Sequence, residues 1–231
     1  NNLATFLSEV GRRAEALAPA QEAVNLRRQL AADSPDAYLP NLAGSLNNLA
    51  NRLSEVGQDG EDLAAGLISE FPVRWGQGFL LCRRAAVTER PFPRRAADAI
   101  AALEILDGED APEALAEVHG MLRELLSANP ASFDQFWTAV HPGGYPGWLV
   151  LPDAVLRQVV DWLNAPTIRE SAAYLESHRD LLGPAGVVAL DEIGLRFPHE
   201  PRIEAHRQLL ATAITEGVGA AYAPLLASDV P

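Results

Sequence analysis

One stretch of this chain occurs twice, and no other feature narrows the possible fold so far. NNLATFLSEVG at residues 1–11 returns as NNLANRLSEVG at 47–57, with nine of eleven positions identical at an offset of 46. Identity of that order marks an internal duplication, so the fold must be one that stacks like units. In the second copy Leu46, Leu49, Ala50 and Leu53 follow the i, i+3, i+4, i+7 stripe of an amphipathic helix. Gly11 and Gly57 close the two copies, where a left-handed helix end costs glycine nothing. Beyond Gly11, Ala16, Ala20, Ala23 and Val24 place small residues along a second helix that runs to about Leu30. Ser34-Pro35 then supplies an N-cap and a first-turn proline for the next helix. Each unit is therefore a helix-turn-helix whose small residues let antiparallel helices approach closely.

These residues resemble the tetratricopeptide repeat family, in particular its long-repeat, kinesin-light-chain-like branch. The likeness rests on Leu3, Ala4, Leu7, Gly11, Ala16, Ala20 and Ala23, then on Leu46, Leu49, Ala50, Leu53 and Gly57, and it covers residues 1–70. It implies the end of an α-solenoid, with inter-repeat helices about a turn longer than is usual in that family. The second copy departs after Gly57, where Asp62, Gly66 and Ser69 stand in place of Ala16, Ala20 and Ala23. Its second helix is thus expected to be the last of the regular array. Residue 1 falls inside the first helix of a repeat, so the chain reads as the closing end of a longer solenoid. The resemblance also implies that the first helix of each repeat lines a concave groove in which asparagines hold a peptide backbone. An amide suits that role, because it offers both a donor and an acceptor without demanding charge. The candidate partner-binding residues are Asn47, Asn51, Ser54 and Glu55, matched in the first copy by Asn1, Thr5, Ser8 and Glu9. Their recurrence fits a ligand stripe, and equally a duplication too recent to have diverged.

Helices are expected to continue beyond residue 70. They are read at Trp75–Ala86, at Arg94–Leu106, from an Asp110/Glu113 capping box to Ala128, and from Ser132 with Gln135 as its cap. His141-Pro142-Gly143-Gly144-Tyr145-Pro146-Gly147 is the strongest breaker and the expected inner boundary. Past it come Pro152–Leu163, with Val155, Leu156, Val159, Val160 and Leu163 on one side, and a Thr167/Glu170 capping box opening a helix to Leu182. Segments at Pro184–Arg196, Glu200–Thr215 and Val218–Leu226 follow. No stretch alternates with period two, so the fold class is all-α. The expected organisation is tetratricopeptide-type repeats at 1–70, an irregular helical region at 71–147 and a C-terminal helical domain at 148–231. Within it, the stretch Asn164-Ala165-Pro166-Thr167 to Leu181-Leu182 and the ending Glu216-Gly217-Val218 to Leu225-Leu226 resemble a module of large bacterial proteins that join such repeats to a caspase-like peptidase or a nucleotide-binding domain.

The chain offers little for catalysis. All 18 basic residues are arginine, so neither a P-loop lysine nor a Schiff base can form. HExxH, CxxC and GxSxG are absent, and one cysteine rules out a disulfide framework or a cysteine zinc cluster. Cys82 lies on a predicted apolar helix, where a buried thiol is more natural than a nucleophile. His199 and His206 are seven apart, whereas helical metal pairs are normally four apart. The Asp107–Asp110 loop lacks EF-hand spacing. No catalytic, cofactor-binding or metal residue is expected, and no cofactor. A formal net charge of −13 argues against nucleic acid or an anionic membrane as partner.

That average hides a local contrast. Residues 74–95 carry Arg74, Arg83, Arg84, Arg90, Arg94 and Arg95 against Glu89 alone, while 96–137 carry nine acids against Arg123. Either these segments pair across neighbouring helices, or Arg83, Arg84, Arg94 and Arg95 form a basic patch for an acidic peptide, another domain or an anionic ligand. Arginine without lysine points to a GC-rich genome, as in actinobacteria, and the chain is expected to be cytoplasmic. The expected function is a non-catalytic scaffold that binds a protein segment in the groove. The alternative is a regulatory or assembly region of a larger bacterial signalling or defence effector whose catalysis lies in a separate domain of the parent chain.

Overall fold

Gly11 shows how the repeat turns. In the computed structural model, which describes residues 2–55, 66–88 and 90–228, helix α1 spans Asn2–Glu9. At its end the Arg12 N–H donates to the Leu7 carbonyl at 2.8 Å and the Gly11 N–H to the Ser8 carbonyl at 2.9 Å. This crossed pair satisfies two carbonyls that the helix leaves open, and it needs a left-handed residue between them. Gly11 provides it at φ +80°. The chain reverses into α2 (Arg13–Asp33), which buries Ala16, Ala20 and Val24 of the expected small-residue stripe together with Ala31, while Ala23 is only half-buried. α2 packs against both α1 and α3 (Pro35–Glu55), and Leu39, Leu42, Leu46 and Leu49 of α3 are buried. Gly57 and Asp62 lie outside the described residues, as do the side chains of Ala50 and Leu53.

The described residues contain helices and no strand, so the fold is all-α. They divide into two compact units, residues 1–137 and 138–231. The first holds α1 to α3, a helical stretch α4 described at residues 66–69, α5 (Arg74–Ala85), α6 (Phe92–Leu106), α7 (Pro112–Ala128) and most of α8 (Pro130–Val140). Within it α5 packs on α6, α7 and α3, and α6 on α7. Phe79, Leu80 and Cys82 of α5 are buried, as are Leu103 and Leu106 of α6 and Val118, Leu122 and Leu125 of α7.

The second unit holds α9 (Asp153–Leu163), α10 (Ile168–Ser177), a 3-10 turn at Arg179–Leu182, α11 (Pro184–Arg196), α12 (Pro201–Glu216) and α13 (Val218–Ser228). Its core gathers Leu151, Val159, Trp162, Leu175, Leu190, Ile203, Leu210 and Tyr222.

Four local expectations need correction. No side chain caps α7: its N-cap is Ala111, and Pro112 in the first turn removes the need for one donor, so the Asp110/Glu113 box does not form. α8 is capped one turn earlier than expected, by Asn129, whose Oδ1 accepts from the Ser132 N–H at 3.2 Å. The segment from Thr167 to Leu182 is two elements, because α10 ends at Ser177 and a 3-10 turn follows. On α9, Val160 points outward while Trp162 is buried.

Candidate functional site

α1 and the second half of α3 carry the two copies of the predicted binding stripe. Thr5 and Ser8 are half-buried on α1. The Ser8 hydroxyl accepts a hydrogen bond from Arg52 Nη1 at 2.7 Å, which ties α1 to α3 directly. Arg52 stands where the first copy has Phe6, so this bond depends on one of the two positions at which the copies differ. Below it Arg27 of α2 reaches α3, donating to the Asn41 carbonyl at 3.0 Å and to the Ser45 hydroxyl. Asn47, Asn51, Ser54 and Glu55 fall on α3, but their side chains lie outside the described residues, as do Asn1 and the side chain of Glu9.

The arginine-dense segment is engaged within its own unit. Arg84 grips Asp98 with two bonds, Nε at 2.7 Å and Nη2 at 2.6 Å. Arg90 donates to the same carboxylate at 2.6 Å and to the Arg84 carbonyl at 2.8 Å. All three side chains are largely buried, so two guanidiniums share one carboxylate away from water. Arg83 pairs with Glu117 at 2.7 Å and lies over the Phe79 ring at 5.0 Å. Arg95 donates to the Ala85 carbonyl at 2.7 Å and reaches Glu124 at 3.5 Å, and Arg74 meets Glu109 at 3.2 Å. Arg94 is exposed.

Groups that could do chemistry are placed for packing. Cys82 is buried, and burial pushes its thiol up to about 12, helped by the Glu117 carboxylate and opposed by Arg83. A thiol held that high is protonated at neutral pH. The His206 Nδ1 lies 2.7 Å from the Arg202 carbonyl, and its ring stands edge-on to Trp162 with centroids 4.6 Å apart. His199 is exposed. Among the described residues no three His, Cys, Asp or Glu side chains gather closely enough to hold a metal ion. No helix there is long and apolar enough to cross a membrane.

Two features of the second unit were not legible in the sequence. Tyr222 OH accepts from Trp162 Nε1 at 3.0 Å and lies 2.7 Å from the Ser171 hydroxyl, a buried network joining α9, α10 and α13. Its members are 51 and 60 residues apart, beyond any local pattern. A shallow groove of about 250 Å³ is lined by Val160, Leu163, Ile193, Phe197 and Ile203, with Asn164, Glu200 and Arg202 as its polar part. Phe197, directly after α11, is its most exposed apolar residue.

A helical hairpin closed by a left-handed glycine, with the sequence of its first helix repeated along the helix that follows the hairpin, defines a helical-repeat protein. The tetratricopeptide repeat family model matches residues 1–36, the stretch that contains α1 and α2. No curated protein and no solved structure shows significant similarity to the chain. Tetratricopeptide repeats are generally non-catalytic protein–protein interaction modules.

Proposed function

We propose that this chain is a non-catalytic scaffold that holds an extended peptide or a helix of a protein partner against α1 and α3. The observation that carries the reading is that the family match at residues 1–36 falls on the α1–α2 hairpin, whose first helix is repeated along α3. Asn47 and Asn51 hold the partner's backbone, with Ser54, Glu55, Asn1, Thr5, Ser8 and Glu9 beside them; of these Ser8 also serves the Arg52 bond. Residues 1–70 form the kinesin-light-chain-like binding module, 71–147 an irregular helical support and 148–231 a C-terminal helical domain. The source is a GC-rich bacterium, such as an actinobacterium, and the site of action is its cytoplasm; arginine at all 18 basic positions supports the source.

The test starts with a partner recovered by cross-linking and pull-down. Asn47→Ala with Asn51→Ala weakens its binding by about tenfold or more, while thermal stability stays unchanged. Unchanged affinity overturns the reading. A regulatory or assembly role inside a larger effector is the second reading. It is favoured by the size of the second unit, residues 138–231, which lies outside the family match. The full reading frame tests it, since a catalytic domain on the same chain supports this reading and its absence removes it.

A further inference from the structure

The groove on the second unit has room for one aromatic ring and carries one on its rim. Val160 and Leu163 of α9, Ile193 of α11, Phe197 and Ile203 of α12 supply its apolar walls around about 250 Å³. An apolar cavity of about 150 Å³ already holds a benzene ring, whereas clefts for small ligands begin at about 300 Å³. The space therefore suits a single aromatic side chain better than a free ligand.

Phe197 is 59% exposed, yet its backbone is pinned on both sides. Its N–H donates to the Ile193 and Gly194 carbonyls at 3.2 and 3.3 Å, and its carbonyl accepts from the Glu200 N–H at 3.1 Å. Pro198 stands at the second position of that turn, which its fixed φ suits. A knob held this way loses little freedom on docking.

The polar rim is complementary to itself. Arg202 Nε donates to Glu200 Oε1 at 3.0 Å, and the Arg202 N–H donates to the same oxygen at 3.3 Å. Glu200 Oε2 and the Arg202 Nη groups make no further hydrogen bond among the described residues. An open acceptor thus stands beside open donors of opposite charge.

We infer that two copies of this chain pair through this groove about a twofold axis, each inserting Phe197 into the groove of the other. Glu200 of each copy then faces Arg202 of the other, once on either side of the axis. A twofold contact needs one patch that complements itself. Knob with hole and acid with base, all within residues 160–203, meet that need. The pairing does not rest on the peptide-binding reading, which concerns α1 and α3.

Sedimentation of the full chain between about 1 µM and about 300 µM, the span in which small interfaces associate, tests the pairing. The original chain passes from monomer to dimer over that range. Phe197→Ser raises the dissociation constant at least about tenfold. It changes melting little, because the ring is exposed. Glu200→Arg and Arg202→Glu each weaken pairing about tenfold alone, since like charges then meet twice. Mixed in equal amounts, these two variants pair as well as the original chain, because one brings two positive side chains and the other two negative ones. A monomer across the whole range overturns the proposal and leaves the groove to a segment of another protein. A dissociation constant unmoved by Phe197→Ser, or a mixture no tighter than its separate parts, overturns it as well.

Discussion

Asp98 gathers two arginines in the first unit. Its two oxygens receive Arg84 twice and Arg90 once, and the three side chains sit largely out of water. An ion group in such a place contributes less to stability than its short distances imply, because desolvation offsets most of the attraction. Removing one partner is a different matter. Asp98→Ala leaves two guanidiniums buried without their shared carboxylate, and the first unit loses about 3–5 kcal/mol of stability, measured by chemical denaturation. A loss below about 1 kcal/mol, the range of a surface pair, would mean that water reaches the cluster. The sequence exposed the contrast between residues 74–95 and 96–137 but not the identity of the acid. Nine carboxylates were available, and only the packing of α5 on α6 selects Asp98.

At the scale of elements, periodicity placed the helices and often missed their ends. α11 spans Pro184–Arg196 as expected, and Thr167 caps α10, accepting from the Glu170 N–H at 3.1 Å. The Asp110/Glu113 box failed because the chain enters α7 through Pro112, and Asn129 captured the cap of α8 from Ser132. Capping motifs state which bonds a helix start can make; the path of the incoming chain decides which it does make. Gly186 is a constraint that only the tertiary structure reveals. It lies in the first turn of α11, where an added Cβ would collide with the carbonyl group of Leu181 in the preceding 3-10 turn. That neighbour is backbone and cannot rotate away. Gly186→Ala therefore destabilises the second unit by about 2–4 kcal/mol. Differential scanning calorimetry checks it: the transition of residues 138–231 moves down and that of residues 1–137 stays. Gly11→Ala offers the contrast, a cost of about 1 kcal/mol in the first unit, since only its left-handed φ of +80° is at stake and nothing lies near its Cβ position.

On the scale of the molecule, the duplicated segment made the all-α class and the hairpins of the first unit legible, because stacking repeats obey a local period. The second unit was legible only as a string of helices, since Trp162, Ser171 and Tyr222 meet across distant stretches of chain. The second unit carries a built-in response to acid. In it, burial holds the His206 imidazole below its ordinary value, with the Arg202 charge acting the same way and the Arg202 carbonyl opposing. The unfolded chain therefore takes up a proton near the usual histidine value of about 6.5, while the folded unit resists until lower pH. More protons on the unfolded side means that stability falls as pH drops through this window. Glu200 adds a separate loss further down, because its bond from Arg202 holds it below the usual carboxylate range. Between pH 7 and pH 5 the second unit loses a fraction of the about 1.4 kcal/mol per pH unit that a full proton carries, since solvent still reaches the ring. Urea denaturation followed by tryptophan fluorescence at the two pH values measures the slope. His206→Gln keeps a donor for the Arg202 carbonyl and removes the titration, so its slope over that range flattens. An unchanged slope in the variant would assign the pH dependence to groups other than His206.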